Sequence, residues 1–285
     1  MFGITILTVM GIWVAKEGVI LERVNIRLII SATLISLVLN FLNAFTLRTI
    51  AKTYGGTLGY SNALHISALG SFANAAGGFP FGTALRYVVL RKQSALSIPQ
   101  ITAGLIAFTL GISIVLICYA AISVVGTDLQ IVVKALPVAL LTVSVLTLWF
   151  FARYARHKQT LQSILNPLLC QTSLMRIMVI SFATATFFIV NYLVIGYFIF
   201  PTLSLPNKIF ISSMGILMGL GSLIQTVGGI QEISMAFSAT LTGAGAIDGV
   251  QLALIMRITS VISSGLILIP FYVALRKHRS IDHHA

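Results

Sequence analysis

The chain has 285 residues, of which 58% are hydrophobic and only 8% are charged. Soluble domains carry about 25% charged residues, so this composition, with a mean hydropathy of +1.02, excludes an ordinary soluble protein and indicates an integral membrane protein. The net charge of +12 comes from basic residues scattered at helix ends, without the interleaved aromatic residues of a nucleic-acid surface. Nucleic acid is therefore not expected as a partner.

Apolar windows predict the membrane-spanning helices in chain order. Each window is long enough to cross about 30 Å of hydrocarbon; they are 27–50, 99–125, 130–151, 177–200, 208–226 and 250–275. The longest clearly polar connection runs only from Arg153 to Arg176, which leaves no water-facing catalytic domain. The sequence thus predicts an all-α polytopic membrane protein with a single membrane domain over residues 1–285.

Basic residues around two segments predict the orientation of these helices. Lysine and arginine prefer the cytoplasmic side of a membrane, and they cluster in one connection and after the last helix. The residues are Arg153, Arg156, Lys158, Arg176, Arg276, Lys277 and Arg279. We therefore expect a multi-pass protein integral to the cytoplasmic (inner) membrane, with the C-terminus in the cytoplasm.

Two stretches of the chain resemble each other at an offset of 151 residues. GSFANAAGG at 70–78 aligns with GSLIQTVGG at 221–229, and self-similarity of this kind is the signature of repeated architecture. The same offset pairs several polar residues, namely Asn40 with Asn191, Asn74 with Gln225, and Gln100 with Gln251. The register is kept over more than 70 residues, which favours a true internal repeat.

The charge pattern predicts that the two copies are inverted. The first repeat would cover 27–125 and the second 177–276, while 126–176 holds the connecting helix and cytoplasmic loop that reverse the second copy. Each repeat would contain a re-entrant helical hairpin, at 60–95 and at 208–245. Irregular backbone inside a bilayer must line a cavity or be buried in protein, and transporters place substrate sites between such elements.

The predicted hairpin tips are rich in glycine, which permits tight backbone turns. The tip residues are Gly77, Gly78, Pro80, Gly82, Gly228 and Gly229. The alternative is that 60–78 and 221–243 are complete spans joined by ordinary turns, and charge alone does not separate the two arrangements. We favour hairpins because broken helices at matching positions in two halves are the recognised pointer to a binding site.

Two charged residues are predicted to lie at similar depth in the membrane. At 1.5 Å per residue, Glu232 lies about 4 to 5 Å from the second tip, and Arg257 reaches about 10 Å into a layer whose half-thickness is about 15 Å. An isolated charge there costs at least about 2.5 to 3.5 kcal/mol. We therefore predict that the two side chains face each other, either as a functional pair or as a structural ion pair.

Other polar residues extend this candidate substrate path. Ser260 and Ser264 share the helical face of Arg257, and Arg86 would meet phosphate or anchor at the inner interface. The full predicted path comprises Glu232, Arg257, Arg86, Asn74, Gln225, Ser260 and Ser264. Asn40 and Asn191 are interpreted as interhelical hydrogen-bonding residues, and His65 as a bonded structural residue.

Catalytic and metal-binding patterns are missing from the sequence. Only six acidic residues are present, and no nucleophile, zinc-ligand spacing or phosphate loop can be assembled from the chain. Cys118 and Cys170 have no neighbouring cysteine, so a disulfide is not indicated. We expect no cofactor, no metal and no enzymatic activity.

Two segments resemble a known family. VGGIQEISMAFSATLTGAGAIDGVQLALIMRITS is similar to the GG-x-x-E pattern, small-residue turn and arginine-bearing long helix of the lysylphosphatidylglycerol synthase transmembrane-region family. GSFANAAGGFPFGTALRYVVLRK resembles its first-half pattern, here Asn74, Pro80, Gly82 and Arg86. The glycines of GGFPFG are more widely spread than in the family, which alters the first tip.

The resemblance implies a flippase-like domain that moves or accommodates phospholipid. In multiple peptide resistance factors such a domain precedes an aminoacyl transferase domain, which these 285 residues do not contain, so lysyl transfer is not expected. Two alternatives remain open: an accessory or scaffold subunit of a lipid or envelope biosynthesis enzyme, and an ion-coupled transporter of a small anion. The expected partners are a phospholipid and possible membrane proteins; the sequence does not indicate an oligomeric state.

Overall fold

The computed structural model describes residues 25–77, 81–127, 134–135, 137–140, 142, 159–221 and 230–282. Within these ranges regular structure is helical. Four helices are long and apolar enough to cross a membrane: Ile26–Thr53, Ile98–Val125, Gln171–Ile199 and Ala246–Val273. These findings confirm the predicted all-α polytopic class.

The helices with defined bounds are numbered here in chain order. They are α1 (Ile26–Thr53), α2 (Tyr60–Gly77), α3 (Phe81–Ser94), α4 (Ile98–Val125), α5 (Gln159–Leu169), α6 (Gln171–Ile199), α7 (Leu205–Gly221), α8 (Ile230–Leu241) and α9 (Ala246–Asp282).

Local sequence sets where the long helices begin. The side chain of Asn25 accepts a hydrogen bond from the backbone N–H of Arg27 at 3.0 Å and caps α1. Before α4, the backbone N–H of Ser97 donates to Oε1 of Gln100 at 2.9 Å, and Pro99 lies in the first turn. Such caps satisfy backbone N–H groups that have no partner within the helix.

Four helices form the centre of the bundle. α1 packs against α2, α6 and α9, and α9 also packs against α2 and α8. On one side α4 packs against α6 and α7, within an apolar cluster that includes Tyr192, Phe210 and Met214. A second apolar cluster includes Ile50 and Ile66 and joins α1 to α2.

Small residues allow these helices to approach closely, as expected where lipid tails remove the hydrophobic drive for helix association. A Cβ atom added at Gly104 would lie 2.5 Å from the side chain of Ile50. One added at Gly249 would lie 2.4 Å from the backbone oxygen of Met235. Gly104 thus sets the spacing of α1 and α4, and Gly249 that of α8 and α9.

The predicted repeats and hairpins remain predictions. Helix α2 has 18 residues and α7 has 17, and neither is among the four candidate spans found in the described residues. Gly77 ends α2 and Gly82 lies in the first turn of α3. The other predicted tip residues lie outside the described residues, as does most of the window 130–151; they are Gly78, Pro80, Gly228 and Gly229.

Replacement of Gly249 by alanine tests the close contact between α8 and α9. The new Cβ would meet backbone, which cannot rotate away, so we expect Gly249→Ala to lower stability by about 1 to 3 kcal/mol. Gly265→Ala on the same helix is the matched control, because nothing lies within 4 Å of its added Cβ. Thermal unfolding in detergent measures both, and equal stabilities would contradict this packing.

The exposed Cys170 tests the predicted orientation. It lies between α5 and α6, and hydrogen bonds from the side chain and backbone of Thr172 lower the pKa of its thiol. In a Cys118→Ser background we expect labelling by an impermeant maleimide from the cytoplasmic side only. Since the thiolate reacts, Thr172→Val should slow labelling at neutral pH and leave it unchanged well above the thiol pKa. Labelling from the outer side would contradict the orientation.

Candidate functional site

A buried ion pair joins α8 to α9. Nη2 of Arg257 lies 2.7 Å from Oε1 of Glu232, whose side chain is fully buried while that of Arg257 is 16% exposed. Glu232 lies in the first turn of α8, where the helix dipole favours a negative charge. The predicted pairing of these two residues is therefore confirmed; a role in a substrate path stays a prediction.

Two polar side chains surround this ion pair. Tyr192 of α6 is 1% exposed, and its hydroxyl accepts a hydrogen bond from Nε2 of Gln231. The ion pair is thus part of a four-residue polar group contributed by α6, α8 and α9.

Several buried polar atoms at this site have no hydrogen-bond partner among the described residues. They include Oε2 of Glu232 and Nη1 of Arg257; further along α9, Oγ of Ser264 is also buried without a partner among these residues. An unsatisfied buried donor or acceptor costs about 1 to 3 kcal/mol, and more when it is charged. Within the described part of the chain, the carboxylate and the guanidinium therefore each have one atom that could bind a further polar group.

Asparagine side chains connect the central helices. Nδ2 of Asn40 on α1 donates to Oγ of Ser263 on α9 at 3.3 Å, and Nδ2 of Asn191 on α6 donates to Oγ of Ser36 on α1 at 3.0 Å. Both asparagines are buried. The predicted interhelical hydrogen bonds of Asn40 and Asn191 are therefore confirmed, and they hold α1 against α6 and α9.

Arg86 of α3 is linked to Asn40 through residues of α2. Its Nη2 donates to the hydroxyl of Ser71 at 2.9 Å and to the backbone oxygen of Ser67 at 3.3 Å. The hydroxyl of Ser67 in turn donates to the backbone oxygen of Asn40 at 3.0 Å. Gly70 makes room for the arginine, because an added Cβ would lie 2.1 Å from Nε of Arg86.

These contacts link polar residues of six helices, which we call the polar seam; some of the links run through backbone oxygens and some only through residues adjacent in sequence. It runs from Arg86 to Glu232 and Arg257 through hydrogen bonds and adjacent residues, and comprises Ser36, Asn40, Ser67, Ser71, Arg86, Asn191, Tyr192, Gln231, Glu232, Arg257, Ser260 and Ser263. Such residues in an apolar bundle are costly unless they pair with one another or bind a ligand.

Of the remaining predicted path residues, Ser260 and Asn74 lie at or near the seam. Ser260 belongs to it, because its backbone oxygen accepts from the hydroxyl of Ser263 at 3.0 Å. Asn74 lies one helical turn beyond Gly70 on α2, and an atom added at Gly82 would lie 2.3 Å from its Oδ1. Gln225 lies outside the described residues. His65 stacks on Phe271 with ring centroids 4.4 Å apart, which agrees with a packing role.

Sequence reasoning missed several seam residues. Tyr192 follows the predicted Asn191 directly, so its position beside a polar residue was an available signal. The sequence carries no comparable signal for Ser36, Ser67 and Ser263. Serine is common in membrane helices and hydrogen-bonds its own backbone as readily as a neighbouring helix. Their partners depend on how the helices are rotated against one another.

The sequence matches a known protein family. A family described as lysylphosphatidylglycerol synthase TM region matches residues 1–267. The chain belongs to this family. The suspected resemblance is thus confirmed, and the family description is that of a membrane region. Neither the curated proteins nor the solved structures include a significant match to the chain.

Substitutions at the ion pair test its contribution to stability in this family member. Removing one partner leaves the other charge buried, so Glu232→Gln and Arg257→Gln should each destabilise the protein by about 3 to 5 kcal/mol. The double variant should lose less than the sum of the two, since no uncompensated charge remains. Thermal unfolding of all four proteins in detergent checks this, and strictly additive losses would show that the pair is not coupled.

Proposed function

We propose that this protein is a flippase-like membrane protein that moves or binds phospholipid, with no catalytic step of its own. The lipid headgroup would follow the polar seam while the acyl chains stay in the surrounding lipid. The observation that carries the proposal is the buried Glu232–Arg257 pair, whose Oε2 and Nη1 have no hydrogen-bond partner among the described residues and can bind a polar group. Intramembrane ionisable residues commonly mark substrate pathways.

Family membership supports this reading, because the matched family is named for the membrane region of a phospholipid-modifying enzyme. The seam supplies the chemistry that such a path needs. Guanidinium groups bind phosphate through directed hydrogen bonds, and the polar seam contains two of them, those of Arg86 and Arg257. Glu232 would hold Arg257 in place or meet a cationic part of the headgroup.

The proposal includes the predicted organisation. Repeats at 27–125 and 177–276, joined by 126–176, would place one hairpin on each side of the inner membrane, with the C-terminus in the cytoplasm. A site reached from both sides suits a lipid that changes leaflet. The four helices long enough to span would form the frame around the shorter helices α2, α3, α7 and α8.

A liposome assay tests the proposed movement of phospholipid. With purified protein and trace acyl-labelled fluorescent phospholipid, we expect Glu232→Gln, Arg257→Ala and Arg86→Ala to slow headgroup translocation at least about tenfold, equivalent to about 1.4 kcal/mol. Dithionite quenching of the outer leaflet measures the rate. Arg27→Ala is the control, because Arg27 is an exposed residue at the start of α1 and should leave the rate unchanged.

Full translocation by all three variants would reject the assignment. Wild-type protein that moves no lipid but co-purifies with an envelope biosynthesis enzyme would support the accessory-subunit alternative. Uptake of a small soluble anion with ion current would support the ion-coupled transporter instead.

A further inference from the structure

The ion pair contains the one acidic side chain that is buried among the residues the structure describes. Glu232 is fully buried, and Nη2 of Arg257 lies 2.7 Å from its Oε1. The Arg257 side chain is 16% exposed, so a ligand can reach the arginine before it reaches the carboxylate. A ligand that draws Arg257 away leaves a buried negative charge behind.

The other charged groups on the two helices packed against α8, namely α7 and α9, lie away from this carboxylate or have another partner. On α9, Asp248 lies in the first turn, about 13 Å from Arg257 along the axis at 1.5 Å per residue. The basic run that begins at Arg276 lies about 28 Å beyond Arg257 on the same helix. On α7, Nζ of Lys208 lies over the ring of Tyr197, 5.3 Å from its centroid.

Helices α6 and α8 bring no second group that titrates near neutral pH to this site. Within α8, whose sequence is IQEISMAFSATL, Glu232 is the only ionisable residue. Tyr192 of α6 accepts a hydrogen bond from Gln231, and a phenol loses its proton only near pH 10. Arg176 of α6 lies about 24 Å from Tyr192 along the axis. Glu232 is therefore the group here whose protonation can change near neutral pH.

Separation of Arg257 from Glu232 has a defined consequence for the carboxylate. An ionised carboxylate that is buried without an opposite charge is so costly that the group normally takes up a proton instead. The dipole of α8 favours the negative charge, because Glu232 lies in the first turn, but a helix dipole contributes less than the partner of a buried ion pair. The carboxylate therefore keeps its charge only while Arg257 lies beside it.

Resting on the proposed lipid function, we propose that Glu232 takes up one proton when Arg257 leaves it to bind a lipid phosphate, so that lipid movement is coupled to protons. The proton comes from water and forms an O–H bond at a carboxylate oxygen, while Arg257 stays a cation. When the phosphate departs, Arg257 returns and the proton leaves. The site is neutral in both states: first as carboxylate with guanidinium, then as guanidinium with phosphate beside a carboxylic acid.

Calorimetry counts the protons taken up on binding. Short-chain phosphatidylcholine is the probe, because neither its phosphodiester nor its quaternary amine titrates near neutral pH. Binding heats measured at one pH in buffers of different ionisation enthalpy should give an uptake of about one proton per lipid. Since the bound state holds the extra proton, the dissociation constant should fall about tenfold for each unit by which the pH is lowered. Binding without proton uptake would overturn the coupling.

Two variants locate the proton. Glu232→Gln cannot take one up, so its lipid binding should lose both the proton uptake and the pH dependence. His65→Gln is the matched control, because an imidazole titrates in the same range but His65 stacks on Phe271 with ring centroids 4.4 Å apart. Its proton uptake should equal that of the wild type. Uptake that persists in Glu232→Gln, or disappears in His65→Gln, would overturn the assignment to Glu232.

Infrared difference spectroscopy gives a test on the wild-type protein alone, which applies even if Glu232→Gln does not fold. Addition of an ether-linked short-chain phosphatidylcholine, which has no ester carbonyl, should produce the C=O stretching band of a protonated carboxylic acid. A difference spectrum without that band at saturating lipid would show that Glu232 stays ionised and would overturn the proposal.

A pH gradient separates coupled movement from the proposed movement itself. Proteoliposomes carry trace acyl-labelled phosphatidylcholine, and the membrane potential is clamped with potassium and valinomycin. With the lumen one pH unit more acidic than the outside, protons leaving the lumen should carry lipid outward. The outer-to-inner ratio of label, measured by dithionite quenching, should rise by up to about tenfold, and a protonophore should abolish the rise. Fast movement that ignores the gradient would overturn the coupling and leave the proposed function intact, whereas no movement under any condition would reject the proposed function.

Discussion

The rest of this structure depends on the ion pair between Glu232 and Arg257. A fully buried carboxylate in an apolar bundle is tolerated only beside an opposite charge, so α8 must lie where Arg257 reaches the first turn of that helix. The close contact at Gly249 brings α8 and α9 together, and Tyr192 of α6 accepts a hydrogen bond from Gln231, the residue before Glu232. The position of α8 is thus set by electrostatics as much as by packing.

Around this pair the bundle contains a polar seam and two apolar clusters. Since lipid is as apolar as leucine, helix association in a membrane relies on close packing and interhelical hydrogen bonds. Asn40 and Asn191 supply those bonds between α1, α6 and α9, and the apolar clusters around Phe210 and Ile66 surround them. These hydrogen bonds therefore fix how α1, α6 and α9 are rotated against one another, which apolar packing alone would specify weakly.

The two arginines of the polar seam have different partners. Near α8 and α9 a carboxylate compensates an arginine, whereas near α2 and α3 Arg86 is held by neutral oxygens. The offset of 151 residues pairs Glu232 with Phe81 and Arg86 with Phe237, so the two predicted repeats share a backbone pattern without sharing charges.

The sequence by itself determined the membrane class, the long helices and the pairing of Glu232 with Arg257. Composition and the helical rise of 1.5 Å per residue are sufficient for these features. The thickness of the hydrocarbon layer fixes the length of a spanning helix, and an isolated charge inside that layer needs a partner. Only the tertiary structure decided that Tyr192 bonds Gln231, Ser67 bonds the backbone of Asn40, and Asn40 bonds Ser263. Those contacts depend on the rotation of each helix about its axis, and a nearly uniform apolar sequence carries little information about that rotation.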